Sequence, residues 1–156
     1  PNMAISFTQK ERSLLEDQKK HEQVCVDKYS VYANQAKDAQ LKQMFSTFAG
    51  QEQQHLNSVN QMLAGQVPNM NQQGQQQAQP AAQPTASTGM NNKDDAALCN
   101  DMLMTEKYVS GSYDTAIFEF KDANVRNALN HIQKEEQQHG EGIFNYMQSN
   151  GMYNAQ

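Results

Sequence analysis

The tetrapeptide Glu-Gln-Gln-His occurs twice in this chain, at residues 52–55 and 136–139. A shift of 84 positions lays one copy on the other, and the same shift aligns much of what surrounds them. Glu22 falls on Glu106, Tyr29 on Tyr113, Leu14 on Leu98, and Lys37-Asp38-Ala39 on Lys121-Asp122-Ala123. Each half therefore reads Glu, then, thirty residues later, Glu-x-x-His. Self-similarity at a fixed offset marks a duplicated structural unit.

The unit is helical. Leu15, Gln18, Glu22, Cys25, Tyr29, Tyr32 and Ala36 step by threes and fours, as do Leu41, Phe45, Phe48, Glu52, His55, Val59 and Met62. Two further stripes follow the same rule, one from Cys99 through Glu106 to Phe120 and one from Val125 through Glu136 and His139 to Tyr146. Such steps keep side chains on one face of a helix, and four such faces make a four-helix bundle. Asp38 and Asp122 are suited to N-cap the second and fourth helices after short turns. Helices 1–2 and 3–4 are thus expected as antiparallel hairpins, over residues 8–64 and 93–149. Gly65 and Pro68 close the second helix, and Gly151 follows the fourth.

Residues 66–92, QVPNMNQQGQQQAQPAAQPTASTGMNN, are Gln, Pro, Ala and Asn with almost nothing to bury. Such a segment cannot offset its ordering entropy and reads as a flexible linker or loosely pinned crossover. It is long for a helix–helix connection and long enough to run the length of a bundle. An up-down-down-up arrangement needs one crossover of this kind. The expected organisation is a single all-α domain over residues 1–156. The linker also leaves open whether the two hairpins pair within one chain or swap between two chains in a homodimer.

Bulk properties narrow the function. The chain has 156 residues, enough for one core, with 37% hydrophobic residues and a mean hydropathy of −0.88. A net charge of −5 gives no basic face for nucleic acid. No apolar run approaches a membrane span. The start, PNMAISFTQKERS, has neither the apolar region nor the cleavage site of a signal peptide, so the expectation is synthesis and retention inside the cell. Cys25 and Cys99 are too few for a disulfide scaffold or a four-thiolate metal site, and are expected as small buried hydrophobes.

Six positions interrupt the apolar stripes: Glu22, Glu52, His55, Glu106, Glu136 and His139. Four buried carboxylates repel one another and are costly to desolvate. Two divalent cations would balance their charge. One Glu from each of two helices, with Glu-x-x-His from each of the other two, is the ligand set of di-iron and di-manganese bundles. Imidazole with carboxylate suits Fe or Mn, and Zn also takes such ligands. The alternatives are a metal-free bundle in which Glu–His pairs share protons, and a site for one ion. Glu135 lies one position off the stripe and is expected to face solvent. His21 and His131 are also off-stripe and expected on the surface. Tyr29 and Tyr113 are expected as core aromatics whose hydroxyls reach polar partners.

The repeated Glu…Glu-x-x-His pattern resembles the ferritin-like superfamily, with rubrerythrin-type bundles as the nearest di-metal analogy. The second half carries a narrower likeness. MLMTEK, followed by Tyr113, Ala116 and Leu129, then EEQQH and a terminal YMQSNGMY, is similar to the Coat F family of endospore coat proteins. Glu106, Glu136 and His139 lie inside that likeness, whereas Glu22, Glu52 and His55 rest on the repeat. The resemblance implies a structural protein made in the mother cell and deposited in the spore coat among other coat proteins. Surface lysines and the QQGQQQAQ run would then suit assembly or cross-linking. The competing readings are a di-iron or di-manganese oxidase, peroxidase or catalase protecting the spore, and a metal store.

Overall fold

Residues 5–70 and 93–152 are described by a computed structural model of the protein, in which the four stripes become four helices. They are α1 (Gln9–Gln35), α2 (Ala39–Leu63), α3 (Lys93–Ile117) and α4 (Ala123–Ser149). The Gln-rich stretch 71–92, with its proposed roles as linker and cross-linking segment, lies outside the described residues.

Local chemistry sets the helix ends. Thr8 and Glu11 form a capping box that starts α1. Asp122 caps α4 by accepting the backbone N–H of Asn124 and Val125. Asp38 stands at the same position before α2 but makes no side-chain cap. Its carboxylate instead accepts the Tyr146 hydroxyl at 2.6 Å, which corrects the capping role expected from sequence. Gly65 and Gly151 have φ of 86° and 66°, and each ends its helix with the paired 6→1 and 5→2 backbone bonds of a left-handed C-cap.

The partners fix the topology. On α1 and α3, Gln18 meets Ser112 and Lys28 meets Asp101, so these helices run antiparallel. On α2 and α4, Asp38 meets Tyr146 and His55 meets Glu135, again antiparallel. With the two hairpins this gives up-down-down-up, both hairpins pairing within one chain. The chain leaves α2 beside Ile5, whose N–H reaches Gly65 O, and enters α3 at the opposite end, beside Lys37. The 25 residues of α2 separate those ends by about 37 Å.

Two apolar clusters fill the bundle. One gathers Leu15, Val59, Met62, Leu129 and Ile132; the other gathers Leu41, Phe45, Phe48, Met102 and Ile143. The six stripe-breaking residues occupy the layer between them and are all at most 2% exposed. Among the described residues no helix is long and apolar enough to cross a membrane.

The duplication reappears as crossed bonds. Glu11 accepts the backbone N–H of Lys121, and Asp95, its equivalent in the repeat, accepts those of Lys37 and Asp38. Each half therefore ties down the other half's hairpin turn. Burial raises the Glu11 carboxyl, but the bonds from Thr8 and Lys121 outweigh it and hold the group below its ordinary range. Asp95→Ala leaves two turn N–H groups without their acceptor and is expected to cost about 1–3 kcal/mol in urea unfolding. Asp94→Ala, removing an exposed pair with Lys37, should change stability by less than about 0.5 kcal/mol. Equal effects of the two would contradict this account of the turn.

Candidate metal centre

Each ligand candidate is delivered by the middle of a helix. Glu22 comes from α1, Glu52 and His55 from α2, Glu106 from α3, and Glu136 and His139 from α4. The i, i+3 spacing puts the Glu and His of each pair on one face, at one level. His55 Nδ1 lies 2.6 Å from Glu52, 3.7 Å from Glu22 and 3.7 Å from Glu136. His139 Nδ1 lies 3.3 Å from Glu136, 3.8 Å from Glu106 and 3.9 Å from Glu52. All six predicted residues thus converge, and they sort into two overlapping groups. Glu22 and His55 stand on one side, Glu106 and His139 on the other, with Glu52 and Glu136 reaching both.

The outer atoms of this cluster are held, also crosswise. Tyr29 donates to Glu106 Oε1 at 3.0 Å, and Tyr113 donates to Glu22 Oε1 at 2.6 Å. Burial first, and then the neighbouring carboxylates, push both phenols well above their ordinary range, so they remain donors. His139 Nε2–H donates to Gln51 Oε1 at 2.5 Å, and His55 Nε2–H donates to Glu135 Oε1 at 2.5 Å. Gln51 and Glu135 are equivalent in the repeat. A second ring-nitrogen bond of this kind fixes tautomer and orientation, as in metal-bound histidines.

Glu135 is therefore not the solvated residue expected from sequence. It is only 4% exposed and also lies 2.9 Å from His131 Nε2. One position off the stripe still faces a neighbour where α4 packs against α2. Burial raises its carboxyl, but the bond and charge from His55 outweigh that and hold it low. His131 and His21 are half-buried rather than on the open surface, His21 packing edge-on against Tyr108. The signal that would have found Glu135 was the repeat itself, which sets an amide or carboxylate just before each ligand Glu.

The inner atoms are not held. Glu22 Oε2, Glu52 Oε2, Glu106 Oε2, both oxygens of Glu136 and His139 Nδ1 are buried and lack a hydrogen-bond partner. They face one another, and Glu22, Glu52, His55 and Glu136 each offer a ligand atom within 4.8 Å of the others. The charge state shows the resulting tension. Burial, followed by the charges of Glu22 and Glu106, drives Glu52 and Glu136 well above the carboxylate range. Burial lowers His55, but Glu136, Glu135 and Glu22 more than reverse it and raise it well above its ordinary value. Glu22 is raised by burial yet ends low, because the nearby His55 and the Tyr113 hydroxyl favour its charged form. Such buried, converging and unpaired donors fit divalent cations.

A pocket of about 560 Å³ opens between α3 and α4 and is lined by Glu106, Glu136, Leu103, Gly140 and Phe144, among others. A Cβ on Gly140 would lie 4.0 Å from Glu106 Cβ and 3.9 Å from Leu103 Cδ1, which is ordinary contact, so only a longer side chain would fill the space. The repeat equivalent of Gly140 is Leu56, which is buried. The duplicated bundle is thus open beside Glu106 where the first half carries a leucine.

One comparison with known proteins falls on the second hairpin. The Coat F domain model matches residues 94–156. An uncharacterised protein of Bacillus subtilis (strain 168), YusN, is 30% identical over 87 residues, covering 56% of this chain and 76% of that protein. No solved structure matches. The chain belongs to the Coat F family.

The proton balance gives a pH prediction for the metal-free protein. Glu52, Glu136 and His55 bind protons more tightly folded than unfolded. Their stabilising contributions are complete below the ordinary values of 4.5 and 6.5 and are lost as pH rises through the raised folded-state values. Glu22 acts oppositely, its contribution being lost as pH falls below 4.5. The melting temperature of chelator-treated protein should therefore fall as pH rises above the ordinary imidazole value of 6.5. A flat or rising profile above that value would contradict it.

Proposed function

We propose that this chain is a structural component of the bacterial endospore coat, built as a ferritin-like bundle around a di-metal carboxylate centre. Family membership supports the coat role, and with it association with other coat proteins. The observation that carries the centre is His139. Its Nε2–H is spent on Gln51, so Nδ1 faces three carboxylates with no hydrogen bond. A cation among those atoms satisfies the imidazole and the carboxylates together. Glu22 with His55, and Glu106 with His139, would be terminal ligands, and Glu52 and Glu136 would bridge. Fe or Mn suits this set, and so does Zn. Metal bound only by the folded bundle adds to its stability, by about 2.7 kcal/mol at a hundredfold excess over Kd.

Elemental analysis of purified full-length protein should find about two divalent ions per chain. The double variant Glu52→Gln with Glu136→Gln should bind none and lose the metal-dependent rise in melting temperature. Metal-free wild type, or an undiminished rise in the double variant, would refute the centre. Glu135→Ala, which frees His55 Nε2, should weaken metal binding by roughly 10–100-fold. An unchanged affinity would show that Glu135 plays no positioning part.

The pocket beside Glu106 favours one second reading, a di-iron or di-manganese oxidoreductase acting on peroxide. Metal of either kind supplies redox chemistry there. The chain's contribution would be the opening at Gly140, the two tyrosine donors that fix the terminal carboxylates, and the apolar clusters that exclude water from the rest of the layer. Gly140→Leu, which fills the pocket, should abolish peroxide turnover while leaving metal content unchanged. Absence of turnover by Fe- and Mn-loaded wild type would leave the structural role alone.

A further inference from the structure

The two halves of the centre match at every predicted ligand but differ at several neighbouring positions, one of which carries sulfur. Cys25 is one turn beyond Glu22 on α1, and the repeat places Val109 one turn beyond Glu106 on α3. Both are buried. Cys25 Sγ lies within 4.8 Å of carboxylate oxygens of Glu52, Glu106 and Glu136, which themselves lie within 4.8 Å of one another. Of those three residues, Glu52 and Glu106 each present one buried oxygen without a hydrogen bond, and Glu136 presents two. The thiol thus enters the group on the Glu106 side of the layer, although it is carried by the same helix as Glu22.

We propose that Cys25 is a seventh protein ligand, binding through Sγ the cation held by Glu106 and His139, and that the two cation positions are chemically unequal. This rests on the di-metal reading above. Binding forms one metal–sulfur bond, breaks the S–H bond and releases one proton to solvent, with no electron transferred. The Glu22–His55 position keeps only oxygen and nitrogen donors, since Val109 offers none. A thiolate shifts preference towards borderline and soft ions such as Zn and Fe, and away from Mn. The layer therefore suits a mixed pair, with the softer ion on the Cys25 side.

Cobalt(II) is the probe, because a thiolate ligand gives it a charge-transfer band in the near ultraviolet that carboxylate and imidazole do not. Full-length protein titrated with cobalt should bind about two ions per chain and show the band. Cys25→Val, which copies the residue of the other half, should still bind two but lose the band. Cys25→Ser should do the same if the valine variant does not fold, and Cys99→Ala should keep the band. Two bound ions without a band in wild type, or a band that survives replacement of Cys25, would overturn the thiolate ligand and leave the di-metal centre standing. No bound cobalt at all would overturn both.

Discussion

Four carboxylates share one layer in the interior of this bundle, and everything around them answers to that fact. Two like charges about 4 Å apart repel by roughly 4 kcal/mol even at an effective dielectric near 20. Glu22, Glu52, Glu106 and Glu136 are each at most 2% exposed, so solvent does not relieve them. Protons can: Glu52 and Glu136 are driven towards the neutral form and His55 towards the charged form. Protons alone leave His139 Nδ1 and several carboxylate oxygens without partners. Divalent cations would remove both the repulsion and the missing contacts, which is the ground for proposing a metal centre over a buried proton network. The apolar clusters pack against the layer on either side, while the pocket between α3 and α4 opens on it beside Glu106.

Duplication supplies the means of assembling such a layer. Four of the contacts that hold the outer atoms of the six residues cross from one half to the other. Tyr29 steadies Glu106 and Tyr113 steadies Glu22, while Glu135 steadies His55 and Gln51 steadies His139. Glu11 and Asp95 exchange turns in the same way. Neither hairpin completes its own ligands, so the site forms only when the two are packed. On the proposed reading, that geometry would link cation binding to bundle assembly.

The stripes and the six inward residues were legible in the sequence because periodicity marks what is buried, and a charged residue on a buried face stands out. What lay beyond it were contacts between helices. Glu135 sits one position off its stripe, yet it is buried where its side chain reaches across to His55 on α2. Asp38 and Asp122 share an identical Lys-Asp-Ala context, yet only Asp122 caps its helix. The difference comes from the partner helix, since Tyr146 presents a hydroxyl to Asp38 and the repeat equivalent of Tyr146 is Met62, which has none to offer Asp122. Local propensity gives both aspartates the same role, and a distant side chain decides between them.

The halves have also diverged where divergence bears on chemistry. Gly140 stands where the first half has Leu56, and Cys25 where the second half has Val109. Both differences fall beside Glu106, so one side of a nearly symmetric layer is open and carries sulfur. The most direct test is a crystal structure of metal-loaded protein with data collected at the metal absorption edge. Two anomalous peaks are expected about 3.5–4 Å apart, one beside Glu22 and His55, one beside Glu106 and His139, with Glu52 and Glu136 between them. A map with no peak in that layer, from protein that retains its fold, would contradict the account.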